Sequence, residues 1–486
     1  MAVQEEPKVG VVNQIELHSI DYVPLRARHG RLVDQTTIWF ACFHPLTLVT
    51  GAIGIGLGLN LIWTLLGVAL GTLFGTIPVS IHATQGPHLG LPQMVQTRPQ
   101  FGRYGALFIW VMAIVVYWGY LVVGGNIFGT NLHQFVGGSA PVWAIVTGVV
   151  AIVLAIFGYR WLHSAQRIVS IGLVIVLVIY IAGLAVGGYI PGNALNLGET
   201  FQPVPFAVTV SAAMAYQLSW AFFVSDYSRY MPPDTNRGAI ILWTSIGLYF
   251  SVFAYEAVGA MAAAMLPGDD IIASVSATGD HVFPGLGTLM LLVFGLGLLG
   301  LMGMCVYGGS LTLITAIDSI RPVDVSRSIR VVTILLLGGS SAIAGAFLPD
   351  NFLNTVFLVV LEVFAYLMAP WTSVNLTDFF IVRRGHYSVR EIFKRDGIYG
   401  RWNWRGIMAY TVTFLVMIPF MHASHFEGPI SAALGGIDVA FFVGVPVGCL
   451  TYWLLCRNLD MATEREVVKE SDRDLEPVVR DLEAIA

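Results

Sequence analysis

From residue 36 to residue 456 the chain alternates apolar runs of about 20 residues with short polar or Gly/Pro-rich links. A run of that length crosses a hydrocarbon layer of roughly 30 Å as an α-helix. The pattern predicts twelve spans, at about 36–57, 60–84, 104–131, 141–158, 167–189, 205–229, 238–266, 283–315, 329–349, 352–381, 405–422 and 437–456. A polar segment, 1–35, precedes them without the apolar h-region of a cleavable signal, and a charged tail, 457–486, follows. The expected class is an all-α polytopic membrane protein embedded in a lipid bilayer.

Charge sharpens this picture. Hydrophobic residues make up 56% of the chain and charged residues only 11%, where a soluble domain carries about a quarter. All 25 Lys and Arg fall in the N-terminal segment, the even-numbered inter-span loops or the tail, and none falls in the other loops. Because basic loops stay on the cytoplasmic side, this predicts a multi-pass plasma-membrane protein with both termini in the cytoplasm. The net charge of −5 points to no nucleic-acid partner. The cysteines Cys42, Cys305, Cys449 and Cys456 have neither disulfide-framework nor zinc spacing. HExxH, GxSxG, CxxC and Walker patterns are absent, and the tail of about 30 residues is short for a signalling domain. These features disfavour an enzyme or a sensor and favour a carrier.

Two spans are interrupted. The first carries His44-Pro45, then Thr47, Thr50 and Gly51; the sixth carries Tyr216-Gln217 and Ser219. The first alone reads equally well as a proline kink. Two interruptions five spans apart match carriers built from inverted repeats, whose site lies between discontinuous helices. Ionisable groups inside spans point to function, so His44, Glu362 and Glu256 are candidates for carrying a proton, against plain hydrogen-bonding or interfacial roles. Asp226, Asp318 and Asp378 end spans 6, 8 and 10 near Arg229, Arg321 and the pair Arg383–Arg384. Helix-end ion pairing accounts for them; the sharper reading makes Asp226 and Arg229 part of an inner gate.

Four motifs carry a resemblance. "GPHLGLPQMVQTRPQFGRYGALFIW" (86–110), "SDYSRYMPPD" (225–234), "YGGSLTLITAIDSIRP" (307–322) and "APWTSVNLTDFFIVRRGHY" (369–387) occur in this order. Together they resemble nucleobase–cation symporter family one, the purine–cytosine permeases and the allantoin, uracil and hydantoin transporters, with an eighth span of actinobacterial type. The resemblance implies a leucine-transporter-like fold: repeats at 36–189 and 205–381, inverted, with two added spans at 405–456. It implies cation symport of a small heterocycle such as cytosine, a purine, uracil or allantoin, without an enzymatic cofactor. It places a stacking residue at Trp118, beside Tyr117.

A flat hydrogen-bonding ring suits aromatic faces with a few polar groups at its edge. Gln217 and Trp220 stand three apart and would share a helix face, the amide to read an edge and the indole to stack. The chain departs from the family's amides: Leu121 and Val122 follow Trp118, Met304 and Cys305 precede Tyr307-Gly308, and Phe43 and His44 precede Pro45. His44 and Cys305 thus join the substrate-contact candidates. Sodium needs oxygen ligands, yet residues 294–306 contain neither Ser nor Thr. A proton is therefore the expected coupling ion, with a sodium-coupled allantoin- or hydantoin-like carrier as the alternative.

Overall fold

The computed structural model describes residues 18–198, 201–268, 270–323, 326–348 and 358–475. The start of the predicted tenth span at 352, most of the N-terminal segment and the end of the tail lie outside the described residues. Within them the chain is helical apart from one hairpin, His422–Ala423 paired with Phe426–Glu427.

Twelve crossings follow one another. Span 1 is split into 1a (Leu32–Phe40) and 1b (Pro45–Gly56), which meet at 67°. Spans 2 to 5 are Leu61–His82, Leu107–Val136, Ala140–Phe157 and Tyr159–Gly187. Span 6 runs as 6a (Pro203–Leu218), a 3-10 turn (Ser219–Phe222) and a short 6b (Val224–Ser228). Spans 7, 8 and 9 are Arg237–Met265, Leu286–Ile320 and Arg327–Phe347. Span 10 is Leu358–Thr377 extended by a π-turn, Asp378–Val382, and spans 11 and 12 are Trp404–Met417 and Ala440–Cys456. Among the described residues, seven single helices are long and apolar enough to cross a membrane by themselves, and two bent pairs, Leu32–Phe40 with Pro45–Gly56 and Ala440–Cys456 with Met461–Glu470, bring the number to nine.

The breaks have local causes. Pro45 occupies the first turn of 1b, where its missing N–H costs nothing and its fixed φ suits a helix start. His44 is the N-cap: its Nδ1 accepts the Leu46 N–H at 3.2 Å. The proline thus begins a helix instead of kinking one. Pro203 plays the same part for 6a. Most boundaries shift by a few residues from the hydropathy reading, and two differences are larger. Span 5 starts at Tyr159 instead of 167, because a helix continues through the polar "YRWLHSAQR" once Gly158, at φ 73°, has turned the chain. An added helix, Ile271–Val282, precedes span 8 and was not expected from its modest apolarity.

The interior is apolar, as in a soluble protein, but so is much of the surface. Val186 is 89% exposed and Ile168 73%, and apolar faces like theirs recur around the bundle, as a surface facing hydrocarbon requires. Inside, spans 1b and 7 approach through two glycines. A Cβ on Gly51 would collide with the Glu256 carbonyl, and one on Gly259 with the Leu48 carbonyl. Close backbone approach through small residues is how membrane helices gain packing energy.

Candidate functional site

A cavity of about 350 Å³ opens beside the break in span 6. Span 1b supplies Leu46, Thr50 and Ile53; span 3 supplies Val116 and Tyr120; span 6a supplies Ser211 and Tyr216, and the 3-10 turn Ser219; and span 10 supplies Glu362, Phe364, Tyr366 and Met368. Its mouth is the 11–12 connection, with His422, Ser424 and Asp438, on the side opposite the arginine-bearing loops.

Beneath the cavity lies an aromatic layer. Tyr120 stacks on Trp220 with ring centroids 6.0 Å apart and planes at 14°. Trp220 meets Trp39 at 6.1 Å and Phe223 at 5.3 Å, edge to face. Tyr117 packs on Phe223 at 5.0 Å. Ser219 Oγ donates to the Tyr216 carbonyl at 2.7 Å, which leaves its lone pairs to accept the Tyr120 hydroxyl at 3.0 Å. These bonds hold the 3-10 turn and tie span 6 to span 3.

The residues picked from the sequence are distributed around this cavity in ways their spacing did not show. Trp220 is in the aromatic layer, fully buried, and does not line the cavity. Trp118 faces away: its Nε1 donates to Ser340 Oγ of span 9 at 3.2 Å. The reason is helical phase. Tyr117 and Tyr120, three apart, share the inward face, and Trp118 is turned about 100° from Tyr117. Tyr120, missed from sequence, could have been found by that spacing. Gln217 points to span 2, where its Nε2 donates to Thr76 Oγ1 at 2.8 Å. Cys305 is a buried free thiol in the core, outside the cavity lining. His44 lies against span 3. With Nδ1 accepting from Leu46, its Nε2–H donates to the Tyr120 carbonyl at 3.4 Å, so both ring nitrogens serve backbone.

Of the proton candidates, Glu362 lines the cavity near its mouth. It accepts from Ser424 N at 3.0 Å and Ser424 Oγ at 2.7 Å, bonds that anchor span 10 to the hairpin. Beside it the Tyr366 hydroxyl donates to Asp438 and to the His422 carbonyl. Glu256 is fully buried on span 7 and accepts Thr72 Oγ1 at 2.6 Å.

The opposite end is closed by buried polar contacts. Gln93 N donates to Asp226 Oδ1 at 2.8 Å, Gln93 Nε2 to Gln85 Oε1 at 2.9 Å, and Gln85 Nε2 to Asn375 Oδ1 at 2.7 Å. Gln100 Nε2 donates to Asp378 Oδ2 at 2.8 Å. Asp378 also pairs with Arg383 and accepts from Tyr387 and Tyr452. Asp318 pairs with Arg98 at 2.8 Å and with Arg103, from the loop after span 2, where the sequence had pointed to Arg321. Burial pulls the Arg98 guanidinium down to about 10, a shift that Asp318 opposes, so Arg98 stays charged at neutral pH. Arg229 Nη2 donates to the Tyr307 hydroxyl at 2.9 Å, and Nη1 to the Ser19 carbonyl of the N-terminal segment.

Two discontinuous helices lining a central cavity fit a membrane carrier. Comparison with known proteins agrees. Residues 22–444 match the family model described as permease for cytosine/purines, uracil, thiamine, allantoin. The putative purine-cytosine permease YxlA of Bacillus subtilis (strain 168) is 32% identical over 458 residues, 91% of this chain and 96% of that protein. The purine-cytosine permease fcyB of Emericella nidulans is 24% identical over 91% of this chain and 88% of its own. In structure the chain is similar to Mhp1, a nucleobase-cation-symport-1 family transporter, in a closed conformation with bromovinylhydantoin bound. The TM-score is 0.75 at 13% identity, covering 92% of this chain and 99% of that one. The protein belongs to the nucleobase–cation symporter family and has its leucine-transporter-like fold. It is a permease, not an enzyme.

Proposed function

We propose that this permease imports a flat, neutral nitrogen heterocycle of the nucleobase class by proton symport, and that the cavity beside Ser219 is its outward-facing site. The observation that carries the reading is the lining of that cavity. Tyr120, Tyr216 and Phe222 offer ring faces, Thr50, Ser211 and Ser219 offer hydroxyls, and among the described lining residues there is no Lys or Arg to hold an anion. The volume suits one or two fused rings. Purine-cytosine permeases among the relatives support the class.

Proton coupling is favoured by the face that span 8 turns to the break in span 1. Gly297 abuts the Ala41 carbonyl, Phe294 stacks on Phe43 at 4.5 Å, and Met304 Sδ meets Cys42 Sγ at 3.4 Å. The nearest hydroxyls further along, Ser310 and Thr312, bond their own helix at the Tyr307 and Gly308 carbonyls. A sodium ion here would have backbone carbonyls and no side-chain oxygen from span 8. The distribution of arginine supports a plasma-membrane orientation with the sealed end and both termini in the cytoplasm.

The test is uptake into proteoliposomes of labelled cytosine, uracil, adenine, hypoxanthine, allantoin and a hydantoin, under a pH gradient or a sodium gradient alone. Accumulation of one compound driven by pH is expected. Accumulation driven only by sodium would replace the reading with a sodium-coupled allantoin- or hydantoin-like symporter.

A further inference from the structure

We infer that the coupled proton is carried by Glu256 of span 7, bound to its carboxylate as the acid and released on the other side. This rests on the proton coupling proposed above and adds the site. The three in-span candidates differ in what they already do. His44 spends both ring nitrogens on backbone, capping 1b and binding span 3. A second ring proton would cost the cap its acceptor. Glu362 sits at the open mouth with its carboxylate committed to Ser424. Glu256 is fully buried, and its one bond is from the Thr72 hydroxyl; among the described residues Oε1 has no partner and no Lys, Arg or His forms an ion pair with the group. A charged carboxylate without a cation in such a place is expensive, and a neutral acid is not.

The surroundings connect this carboxyl to both moving helices. Its backbone carbonyl is the surface on which Gly51 of 1b rests, next to the cavity-lining Thr50. Thr72, which bonds it, stands one turn from Thr76, which receives Gln217 of 6a. On 6a two buried atoms lack partners among the described residues: the Tyr216 hydroxyl and Gln217 Oε1. Tyr216 also lines the cavity. Protonation turns Glu256 into a donor, and both of those oxygens can accept. A proton on span 7 would thereby favour a different seating of 6a, the helix that contacts cargo.

The other titratable groups on elements packed around span 7 are engaged or remote. Asp34 pairs with Arg167, Cys42 contacts Met304, and the Tyr255 hydroxyl donates to the Phe40 carbonyl. His82 stacks on Trp371, Tyr180 bonds Thr278, and Asp280 and His281 are exposed on the added helix.

The experiment compares wild type with Glu256→Gln in proteoliposomes, using the same labelled panel. Wild type should accumulate its compound under a pH gradient. Glu256→Gln should only equilibrate it, while counterflow against preloaded compound stays within about threefold of wild type, since the amide stands in for the neutral acid throughout the exchange cycle. Infrared difference spectra between high and low pH should show a carboxylic-acid band in wild type that is missing from Glu256→Gln, a readout independent of cargo. Retained pH-driven accumulation in Glu256→Gln, or the same band in both proteins, overturns the inference. If Glu256→Gln cannot be purified, Glu256→Asp decides: a displaced pH dependence of uptake supports the site and an unchanged one overturns it. Sodium-driven accumulation by wild type would instead remove proton coupling itself, before Glu256 is at issue.

Discussion

The two ends of this permease are built from opposite materials. On the arginine-bearing side, carboxylates are buried and answered by cations: Asp378 by Arg383, and Asp318 by Arg98 and Arg103. On the other side, Glu362 and Asp438 hold only hydroxyls and backbone N–H groups, and the cavity opens between them. Buried ion pairs with satisfied hydrogen bonds are costly to break one partner at a time, whereas hydrogen bonds to carboxylates beside water can be exchanged for bonds to water. The contrast explains why the structure is shut at one end and open at the other. It also implies that opening the shut end must rearrange whole pairs together.

The largest effect should come from breaking that closed end. Arg383→Ala leaves Asp378 buried with only neutral partners and should destabilise the protein by about 3–5 kcal/mol. A fall in the melting temperature of the purified protein checks this, and the double variant Asp378→Asn/Arg383→Gln should recover much of the loss. Next, accessibility should separate the ends. With Ser211→Cys in the cavity and Ser225→Cys at the closed end, a membrane-impermeant thiol reagent applied outside should label the first at least about tenfold faster, as access through a wet crevice predicts. Equal rates would mean that the closed end is not a seal.

Asp226→Asn keeps an acceptor for the Gln93 N–H but removes its charge. Losing charge assistance of about 1 kcal/mol should slow turnover about fivefold while leaving substrate affinity nearly unchanged. Equal losses in both would end the gate reading of Asp226. The smallest effect belongs to the open mouth. Ser424→Ala removes the hydroxyl bond to Glu362 but keeps the backbone one. At a solvent-exposed site this should change uptake by less than about twofold.

Much of the architecture was legible because a bilayer imposes simple rules on a sequence. Span length, the segregation of every Lys and Arg, and breaks five spans apart pointed to a multi-span carrier with discontinuous helices, and the four motifs that resemble the symporter family implied the leucine-transporter-like fold. The site was less legible. Trp118 looked the stronger stacking residue, yet the inward face of span 3 belongs to Tyr117 and Tyr120, two residues whose i, i+3 spacing was there to read. His44 looked like a titrating group because it is a histidine inside a span. In the fold it is a helix cap, since 1b needs an acceptor for its first N–H groups and the Nδ1 lone pair supplies one. Asp318 looked like a partner of Arg321, three residues further along the chain; the loop after span 2 brings Arg98 and Arg103 instead.

The sequence by itself determined what hydropathy and charge can encode: a twelve-span carrier, two discontinuous helices, and a basic side distinct from a non-basic one. Only the tertiary structure decided which side chains share the cavity, which carboxyls are paired with cations, and that Glu256 has none among the described residues. The physical reason is that crossing a membrane is a property of each segment against a uniform solvent. Partnership is a property of phase and distance between helices far apart in the chain, and these are set only when the glycine faces and aromatic layer pack.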